Sequence, residues 1–551
     1  MTTFLIRQAE SLVPVHELQN SVASAGHQLE RLDNSSVFTR GKVQKHEIQS
    51  THSSPDSVNN SRRSTRVILG LLALGGIGFL RKRLKEEEKA STNVHEAKVD
   101  YVSQLPDDVL SSILSLMTIN DAVKTSILST RWRYLFASMP TLRFSLDMFG
   151  IKYLGPICAP YDQKKFLEVV NQFLQLYLGH KVVELEIHMF IEREFFPRSF
   201  PQLMHSISKL GVERLHLNFS CERTPTSQDI NLPRNAFFEF SLELLSQASS
   251  LKSLFLSVCI VRSSVGLRLN SLKTLSLTGV LLETGQLEGI LSSCLNLSQL
   301  VIKYCKLPHK LCISGTVKSV IFADCGGLEE IDLQGTKLHG FECFSDNKVK
   351  FFFSSVPVLE HVKISLRGDA SMPYIFGEFA TDLPAQVKSL IVTTCYTQIA
   401  HFPTETQIFR DLRMLAFLLE STYDFDIVKV FPILDACPVL QYLDILQHKT
   451  YRQNERGSHT RPPLSPTVHT ELKEVRFGGF HGTKEEIELA IYILRSATVL
   501  DQMFLSQYSI GPYFKAYYGH DIWEKRERER ISIQRQLLGQ AISSSTVVII
   551  Q

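Results

Sequence analysis

The sequence has few of the features that indicate catalysis, metal binding or nucleic-acid binding. Its 551 residues carry a net charge of +3, too small for this length to suggest a dedicated nucleic-acid binder. No P-loop, G-x-S-x-G, H-E-x-x-H or protein-kinase motif set occurs. The ten cysteines form no C-x-x-C pair and no zinc-like spacing with histidine, so we expect buried thiols in a reducing compartment. These absences disfavour an enzyme and predict neither a metal nor a cofactor.

Residues 100–144 predict three short helices. Pro106 suits a first helical turn, and Asp107 and Asp108 favour the positive end of the helix dipole. Because helix neighbours point about 100° apart, these carboxylates do not predict an acid–base pair. The apolar positions are, helix by helix, Val109, Leu110, Ile113, Leu114, Leu116 and Met117; Ile119, Ala122, Val123 and Ile127, with Thr118 or Asn120 as the cap; and Trp132, Leu135, Phe136 and Met139, ending near Pro140.

The apolar arc of the first helix, roughly 160° wide, exceeds the ~100° stripe that covers one core. About 45 residues also bury only a small core of their own. The three helices therefore need a further apolar surface. That surface belongs either to the domain that follows in the chain or to a separate partner, and spacing alone does not choose between them.

The amino-acid sequence of this segment helps to choose between these two surfaces. The runs D-x-V-S-x-L-P-D-D-V-L-x-x-I-L-S-L, D-A-V-K-T-S-I-L-S-T-R-W-R-x-L and P-T-L-x-F closely resemble the plant F-box. The segment departs from the family at Met117-Thr118, where Leu-Pro is usual, and at Phe136, where a second tryptophan is usual. The resemblance implies docking to a Skp-type adaptor and through it to a cullin scaffold. By position in the motif, the implied adaptor-binding residues are Leu105, Pro106, Val109, Leu110, Ile113, Leu114, Leu128, Trp132 and Leu135.

After a predicted amphipathic helix at Phe166–Leu178, one pattern recurs: apolar-x-x-apolar-x-apolar. Its last two positions alternate like a strand with one buried face. Most of its centres lie about 20 to 32 residues apart, a period typical of a leucine-rich-repeat solenoid. The centres are Leu185, Leu215, Leu254, Leu275, Leu300, Val320, Ile331, Val362, Leu390, Leu415, Leu443, Val475 and Met503.

Two intervals break this rhythm. The 39 residues before Leu254 predict an insertion or a missed strand, and the 11 residues before Ile331 predict a strand with almost no return helix. We therefore expect an irregular solenoid. The alternative is a stack of unrelated βα units in a globular α/β domain.

The text from Leu472 onward predicts a strand and then a helix. Val475 and Phe477 belong to the strand, which ends at Gly478-Gly479, and Thr483 caps the helix. This region resembles the FBD region that follows leucine-rich repeats in many plant F-box proteins. The buried stripe of its helix is predicted to contain Ile487, Ala490, Ile491, Leu494 and Ala497.

Both ends of the chain differ in composition from the middle. The fourteen uncharged residues Val67–Leu80 would span about 21 Å as a helix, against roughly 30 Å of hydrocarbon in a bilayer. They predict either a membrane span or anchor, or a locally packed or aggregation-prone segment. At the other end, Asp521–Arg535 alternates charges and predicts a solvated helix, and Thr546–Ile550 predicts a terminal strand.

Together these observations predict an α/β chain. A mostly disordered extension (1–98) precedes an all-α three-helix F-box (99–145), an irregular leucine-rich-repeat α/β solenoid (146–460), an FBD strand–helix cap (461–515) and a charged tail (516–551). The resemblance implies a non-catalytic substrate receptor of a Skp-cullin-F-box ubiquitin ligase in the cytoplasm and/or nucleus. It would hold an unknown target protein through the repeats and FBD, without nucleic acid. The alternative is a membrane-associated or non-ligase leucine-rich-repeat scaffold with a degenerate F-box.

Overall fold

The computed structural model describes the chain from Val102 to Ile550, with gaps. The gaps are positions 103, 118, 146–159, 176, 180, 190–198, 221–232, 235–236, 265, 346–347, 368–370, 396–407, 421–426, 449–466 and 508–526. The predicted N-terminal extension with its apolar run Val67–Leu80 lies outside the described residues. The two candidate caps of the second helix, Thr118 and the side chain of Asn120, do so as well.

Helices are concentrated at the start of the described chain, and further helices lie between the strands that follow. Their bounds are α1 Asp107–Leu116, α2 Ile119–Thr125, α3 Thr130–Ala137, α4 Pro160–Gln175, α5 Ser199–Lys209, α6 Gln286–Ser293, α7 Ser371–Tyr374, α8 Ala380–Asp382, α9 Phe431–Asp435, α10 Lys484–Ser496 and α11 Glu527–Leu537. A π-helical turn, Ile375–Phe379, joins α7 to α8. The three helices predicted for residues 100–144 are confirmed as α1, α2 and α3.

The strands are short and mostly five to seven residues long, as is usual for a solenoid. Their bounds are β1 Thr141–Ser145, β2 Glu184–His188, β3 Arg214–Asn218, β4 Phe238–Ser241, β5 Ser253–Ser257, β6 Cys259–Arg262, β7 Thr274–Thr278, β8 Gln299–Lys303, β9 Lys310–Gly315, β10 Ser319–Ala323, β11 Glu330–Gly335, β12 Gly340–Ser345, β13 Lys350–Phe352, β14 His361–Arg367, β15 Ser389–Cys395, β16 Met414–Glu420, β17 Tyr442–His448, β18 Glu474–Gly478, β19 Gln502–Ser506 and β20 Val547–Ile550.

Fifteen of these strands form one parallel sheet. Its order is β1, β2, β3, β5, β7, β8, β10, β12 and then β14 to β20, each strand parallel to the next. Apolar residues such as Leu254 and Leu275 pair across neighbouring strands and are buried on one face, where they meet the return segments. This repeated strand-and-return arrangement, preceded by the helical trio, confirms the predicted leucine-rich-repeat solenoid.

The thirteen predicted units are all strands, but one of them belongs to a different sheet. The Ile331 unit is β11, which lies between β13 and β9 in a three-stranded sheet. The 11-residue interval is therefore the separation along the chain between a strand of the main sheet, β10, and a strand of the second sheet, β11, within one coil. The 39-residue interval before Leu254 contains β4, which pairs with β6 in a separate two-stranded sheet. The strand that the pattern misses there therefore belongs to a second sheet, because β3 pairs directly with β5 in the main sheet.

Two strands of the main sheet were not predicted, although they have the same pattern. Leu142 and Phe144 form β1 within text attributed to the F-box alone, and Phe341 and Cys343 form β12. The predicted helix at Phe166–Leu178 is α4, which begins six residues earlier. β1 pairs with β2 and so extends the sheet to the helical trio.

The C-terminal part contains the predicted strand, capped helix and terminal strand as β18, α10 and β20. The tail helix α11 corrects the prediction of a purely solvated helix. Ile533 and Leu537 of α11 are buried in the same core as Leu494 of α10, while Arg528 and Glu529 are exposed. The charge pattern described only the outer face of an amphipathic helix. In the part of the chain that the structure describes, none of the helices combines the length and apolar composition needed to cross a bilayer.

Candidate docking surfaces

Helix α1 divides its wide apolar arc between two faces. Leu110 and Leu114 are fully buried, one turn apart, in the common core. Val109, Ile113 and Leu116 follow at i, i+4 and i+7 and form a second stripe on the outside. Val109 is 37% exposed and Leu116 is 75% exposed, with Ile113 half-buried between them. A stripe of three apolar side chains facing solvent on one short helix is the kind of surface that a partner covers.

The start of α1 is fixed by its own backbone and by α3. Pro106 is the N-cap residue with φ −60° and ψ 155°, and its carbonyl accepts the first helical hydrogen bond from the Leu110 N–H. Arg131 of α3 donates to the Asp107 carboxylate at 2.7 Å and to the Leu105 carbonyl at 2.6 Å. Arg131 therefore joins the two ends of the helical trio and holds Leu105 and Pro106 beside the stripe. No sequence pattern predicts this role of Arg131.

The turn between α2 and α3 presents another exposed apolar side chain. Leu128 is 69% exposed and lies directly before Ser129, whose hydroxyl caps α3 by accepting from the Trp132 N–H. On α3 itself, Trp132 and Leu135 are buried, while Tyr134 is largely exposed. The turn geometry therefore points Leu128 away from the core that the next helix enters.

The nine residues implied by the F-box resemblance fall into two groups by burial. The accessible group, exposed or half-buried, is Leu105, Pro106, Val109, Ile113 and Leu128; the buried group is Leu110, Leu114, Trp132 and Leu135. Leu116 and Tyr134 are exposed beside the accessible group, although the prediction did not include them. Helical spacing from Val109 points to Leu116, but it gives no signal for Tyr134.

The helical trio is packed directly onto the sheet. Phe173 of α4 makes edge contacts with Phe136 of α3 (ring centroids 5.7 Å apart) and with Phe144 of β1 (5.4 Å). The Tyr177 hydroxyl, half-buried after α4, lies 3.0 Å from the carbonyls of Met139 and Lys181. Phe136, the departure from the family tryptophan, is therefore a fully buried core residue. One continuous core links the F-box helices to the first strands.

The sheet has a second face, opposite its buried leucines, which we call the outer face. The central side chains of the strands form one row along it, each in register with the next. From β1 to β14 the row contains Arg143, Glu186, His216, Phe255, Ser276, Val301, Ile321, Glu342 and Lys363. Apart from the exposed Arg143, these side chains are half-buried. The row is the surface of the repeats on which a bound molecule would meet these strands.

Charges on the first three strands of the outer face are paired with one another. Glu186 lies 2.6 Å from the ring of His188 and 3.1 Å from the Arg143 guanidinium, and these contacts hold the pKa of the Glu186 carboxyl below its usual value. Arg214 donates to Glu184 at 2.7 Å. This end of the face therefore has two carboxylates whose charge is already compensated.

His216 connects the charged end to the next strands. Its ring stacks on Phe255 with centroids 4.0 Å apart and planes 4° apart. Burial lowers the pKa of the His216 imidazole, against the opposing effect of Glu184 and Glu186. A neutral ring stacked on Phe255 keeps that side chain in one orientation.

The outer face of β5, β7, β8 and β10 is almost free of charge. Its twelve positions are Ser253, Phe255, Ser257, Thr274, Ser276, Thr278, Gln299, Val301, Lys303, Ser319, Ile321 and Ala323. Lys303 is the single charged residue among them. Further along, charges reappear at Glu342 and Lys363, and the outer-face side chains Leu418 and Leu446 are buried.

Comparisons with known families agree with this architecture. An F-box domain model matches residues 102–144, which contain α1 to α3 and most of β1. A leucine-rich-repeat model, described as "At1g61320/AtMIF1, LRR domain", matches residues 175–512, more than half of the chain.

Similar proteins occur in Arabidopsis thaliana. The "FBD-associated F-box protein At5g56370" is 28% identical over 419 residues, covering 72% of this chain and 88% of that protein. The "F-box/FBD/LRR-repeat protein At5g56420" is 24% identical over 429 residues, covering 74% and 91%. The "Putative F-box/LRR-repeat protein At3g58880" is 44% identical over 79 residues, covering 14% and 17%. F-box proteins are generally non-catalytic substrate receptors, and their F-box generally binds Skp-type adaptors. The chain belongs to the plant family of F-box proteins with leucine-rich repeats and an FBD region.

Proposed function

We propose that the chain is the substrate-recognition subunit of a Skp-cullin-F-box ubiquitin ligase. Its F-box docks a Skp-type adaptor, and through it a cullin, while the repeats and FBD hold a target protein. The observation that carries this proposal is the outward apolar stripe of Val109, Ile113 and Leu116 on a helical trio that matches the F-box model. Other subunits perform the ubiquitin transfer, and this chain contributes proximity between target and ligase.

The accessible residues form the proposed adaptor contact. Leu105, Pro106, Val109, Ile113 and Leu128 touch the adaptor, and Leu116 and Tyr134 extend that surface. The buried residues Leu110, Leu114, Trp132 and Leu135 act indirectly, because they hold α1 and α3 in place. Burying exposed apolar area is the main driving force for such an association.

Substitution on α1 tests the proposal. We expect Val109→Asp, and separately the double change Leu105→Ala with Pro106→Ala, to lower adaptor affinity by about 30-fold or more, as loss of a central apolar anchor does. The measurement is co-purification of a Skp-type adaptor with the full chain, followed by titration. Leu538→Asp is the matched control, because Leu538 is an apolar side chain 81% exposed near the other end of the fold. Unchanged adaptor binding by both α1 variants, with the control also unchanged, would overturn this docking surface.

Domain limits and localisation belong to the same proposal. The F-box at 99–145, the solenoid at 146–460 and the FBD region at 461–515 are the proposed limits, within a protein of the cytoplasm and/or nucleus. Cell fractionation of the full chain beside a chain that begins at Asp100 tests the localisation. Recovery of only the full chain with membranes would favour the scaffold anchored through Val67–Leu80.

A further inference from the structure

The neutral stretch of the outer face contains a notch. Ser276, at the centre of β7, has a small side chain between two larger neighbours in the same row, Phe255 on β5 and Val301 on β8. Parallel strands lie about 4.8 Å apart, so these walls stand about 10 Å from each other across a serine floor. Thr274 and Thr278, two residues to either side of Ser276 on β7, border the notch along the strand.

The walls of the notch are held in place. Phe255 is stacked on His216 at 4.0 Å, and Val301 is β-branched and in register with the β-branched Ile321 on the next strand. A side chain that enters the notch therefore meets preorganised apolar surface and loses little to rearrangement of the site. The opening suits one leucine, isoleucine, phenylalanine or tryptophan side chain.

The surroundings of the notch select against charge. Hydroxyl groups and the Gln299 amide border the apolar centre, and they can donate to or accept from a peptide backbone. A basic side chain buried there would lose water and meet no carboxylate among the twelve positions of this stretch, and an acidic one would find only the exposed Lys303 at its edge. On the β1 side of this stretch, the carboxylates of Glu184 and Glu186 are already compensated by Arg214 and Arg143.

The row from Phe255 to Ile321 crosses four strands, about 14 Å, which four or five residues of extended peptide would cover. We propose that the outer face of β5, β7, β8 and β10 binds an uncharged extended segment of the target protein, whose single large apolar side chain enters the notch above Ser276. This inference rests on the proposed function, in which the repeats hold the target, and it names the chemistry of the bound segment.

The test uses a random dodecapeptide display library panned on the full chain. We expect the selected peptides to have a net charge near zero and one large apolar residue. We also expect their affinity to change by less than about 2-fold between low salt and ~0.3 M salt, because no ion pairs form. A charged consensus sequence, a steep salt dependence or the absence of any binding peptide would overturn the proposal.

Variants of the notch locate the binding. Ser276→Leu fills the space and should weaken a selected peptide by about 10-fold or more, as loss of an apolar anchor pocket does. Ser276→Ala keeps the space open and should preserve binding, and Thr141→Leu on the outer face of β1 is the control at a distance. Equal binding by Ser276→Leu and the native chain would refute the notch.

Adaptor co-purification, measured on the same variants, separates the two proposals. The notch lies on strands away from α1, so Ser276→Leu should leave adaptor binding unchanged. Loss of peptide binding with the adaptor retained supports the notch. Failure of the native chain to bind any adaptor would refute the proposed function. The peptide measurements on the full chain would still show whether the notch binds an apolar side chain.

Discussion

The residue that follows several strands of the main sheet adopts a left-handed backbone, whatever its identity. Val258, Gly279, Tyr304 and Asp324 follow β5, β7, β8 and β10 with φ values of 55°, 61°, 51° and 51°. This conformation costs roughly 1–2 kcal/mol for a residue other than glycine. Each N–H donates to a carbonyl at the end of the next strand at 2.8–2.9 Å, that of the last residue in three cases and that of Phe344, one residue before the end of β12, for Asp324. The repeat imposes this turn whatever the residue. A search of the sequence for glycine would therefore have located only Gly279 among these four positions.

Gly479 occupies the corresponding place after β18 under tighter conditions. Its φ is 74°, and an added Cβ would lie 2.1 Å from the Gln447 carbonyl oxygen. We expect Gly479→Ala to lower the free energy of unfolding by roughly 2–5 kcal/mol, combining backbone strain with overpacking. Urea-induced unfolding measures this change.

Gly539→Ala is the matched control for that prediction. Gly539 has φ 76°, and an added Cβ there would meet nothing within 4 Å. The control should cost about 1–2 kcal/mol through backbone strain alone. Equal losses in the two variants would contradict the role of the Gln447 contact.

His469 gives the fold a dependence on pH. Its side chain is buried, and neither ring nitrogen has a hydrogen-bond partner among the described residues. Burial lowers the pKa of the His469 imidazole, while Asp435 acts in the opposite direction. The unfolded chain therefore takes up this proton first, and stability falls as pH drops below about 6.5, the pKa of an unperturbed histidine.

Replacement of His469 tests that dependence. We expect His469→Phe to resist acid better than the native chain, with a relative gain of up to about 1.4 kcal/mol for each pH unit below ~6.5 until the folded-state pKa is reached. Urea unfolding at about pH 7.5 and about pH 5.5 measures the difference. A stability difference between the two proteins that is the same at both pH values would rule out His469 as the source.

At the scale of elements, the sequence predicted strands better than it predicted sheets. The apolar-x-x-apolar-x-apolar pattern reports one buried face, and both Leu300 in β8 and Ile331 in β11 satisfy it. These strands belong to different sheets, because β8, β10 and β12 of the main sheet alternate along the chain with β9, β11 and β13 of the three-stranded sheet. A local pattern cannot contain that information. β1 was missed for a related reason, since Leu142 and Phe144 had been attributed to the F-box alone.

The capped helix α10 was predictable because its signals are local. The Thr483 hydroxyl accepts from the Glu486 N–H, and the buried Glu486 carboxylate accepts from the N–H groups of Thr483 and His481. We expect Thr483→Ala to cost about 1 kcal/mol through loss of the cap. Thr483→Ser is the control and should cost much less, because serine retains the accepting hydroxyl. Differential thermal unfolding of the two variants measures this, and equal destabilisation would contradict the capping role.

At the scale of the whole molecule, the division of the F-box surface could not be predicted. The sequence predicted that α1 has too wide an apolar arc for one core, and it does. Which part faces inward depends on how α1 packs against α3, and the spacing of apolar residues within α1 does not contain that information. Leu110 is therefore buried and its neighbour Val109 exposed, although both are equally apolar in the sequence.

Phe173 tests the connection between the F-box and the sheet. Its ring contacts Phe136 of α3 and Phe144 of β1, so we expect Phe173→Ala to cost about 3–5 kcal/mol and to increase hydrogen exchange in α3. Phe417→Ala is the control, because Phe417 is equally buried but contacts Phe376 far along the sheet. The control should be destabilised without faster exchange in α3. Similar exchange in both variants would show that Phe173 has no special role in this connection.

Three residues, Ser138, Met139 and Pro140, separate the end of α3 from the start of β1. The Ala137 carbonyl accepts a hydrogen bond from the Leu178 N–H, and the Pro140 carbonyl accepts one from the Val183 N–H. This short connection is therefore held in place at both ends. In a working ligase, the distance and direction from the adaptor to a captured target would then be fixed by this chain. Which target lysines come within reach of the transferred ubiquitin would follow from that fixed span, independently of how tightly the target is held.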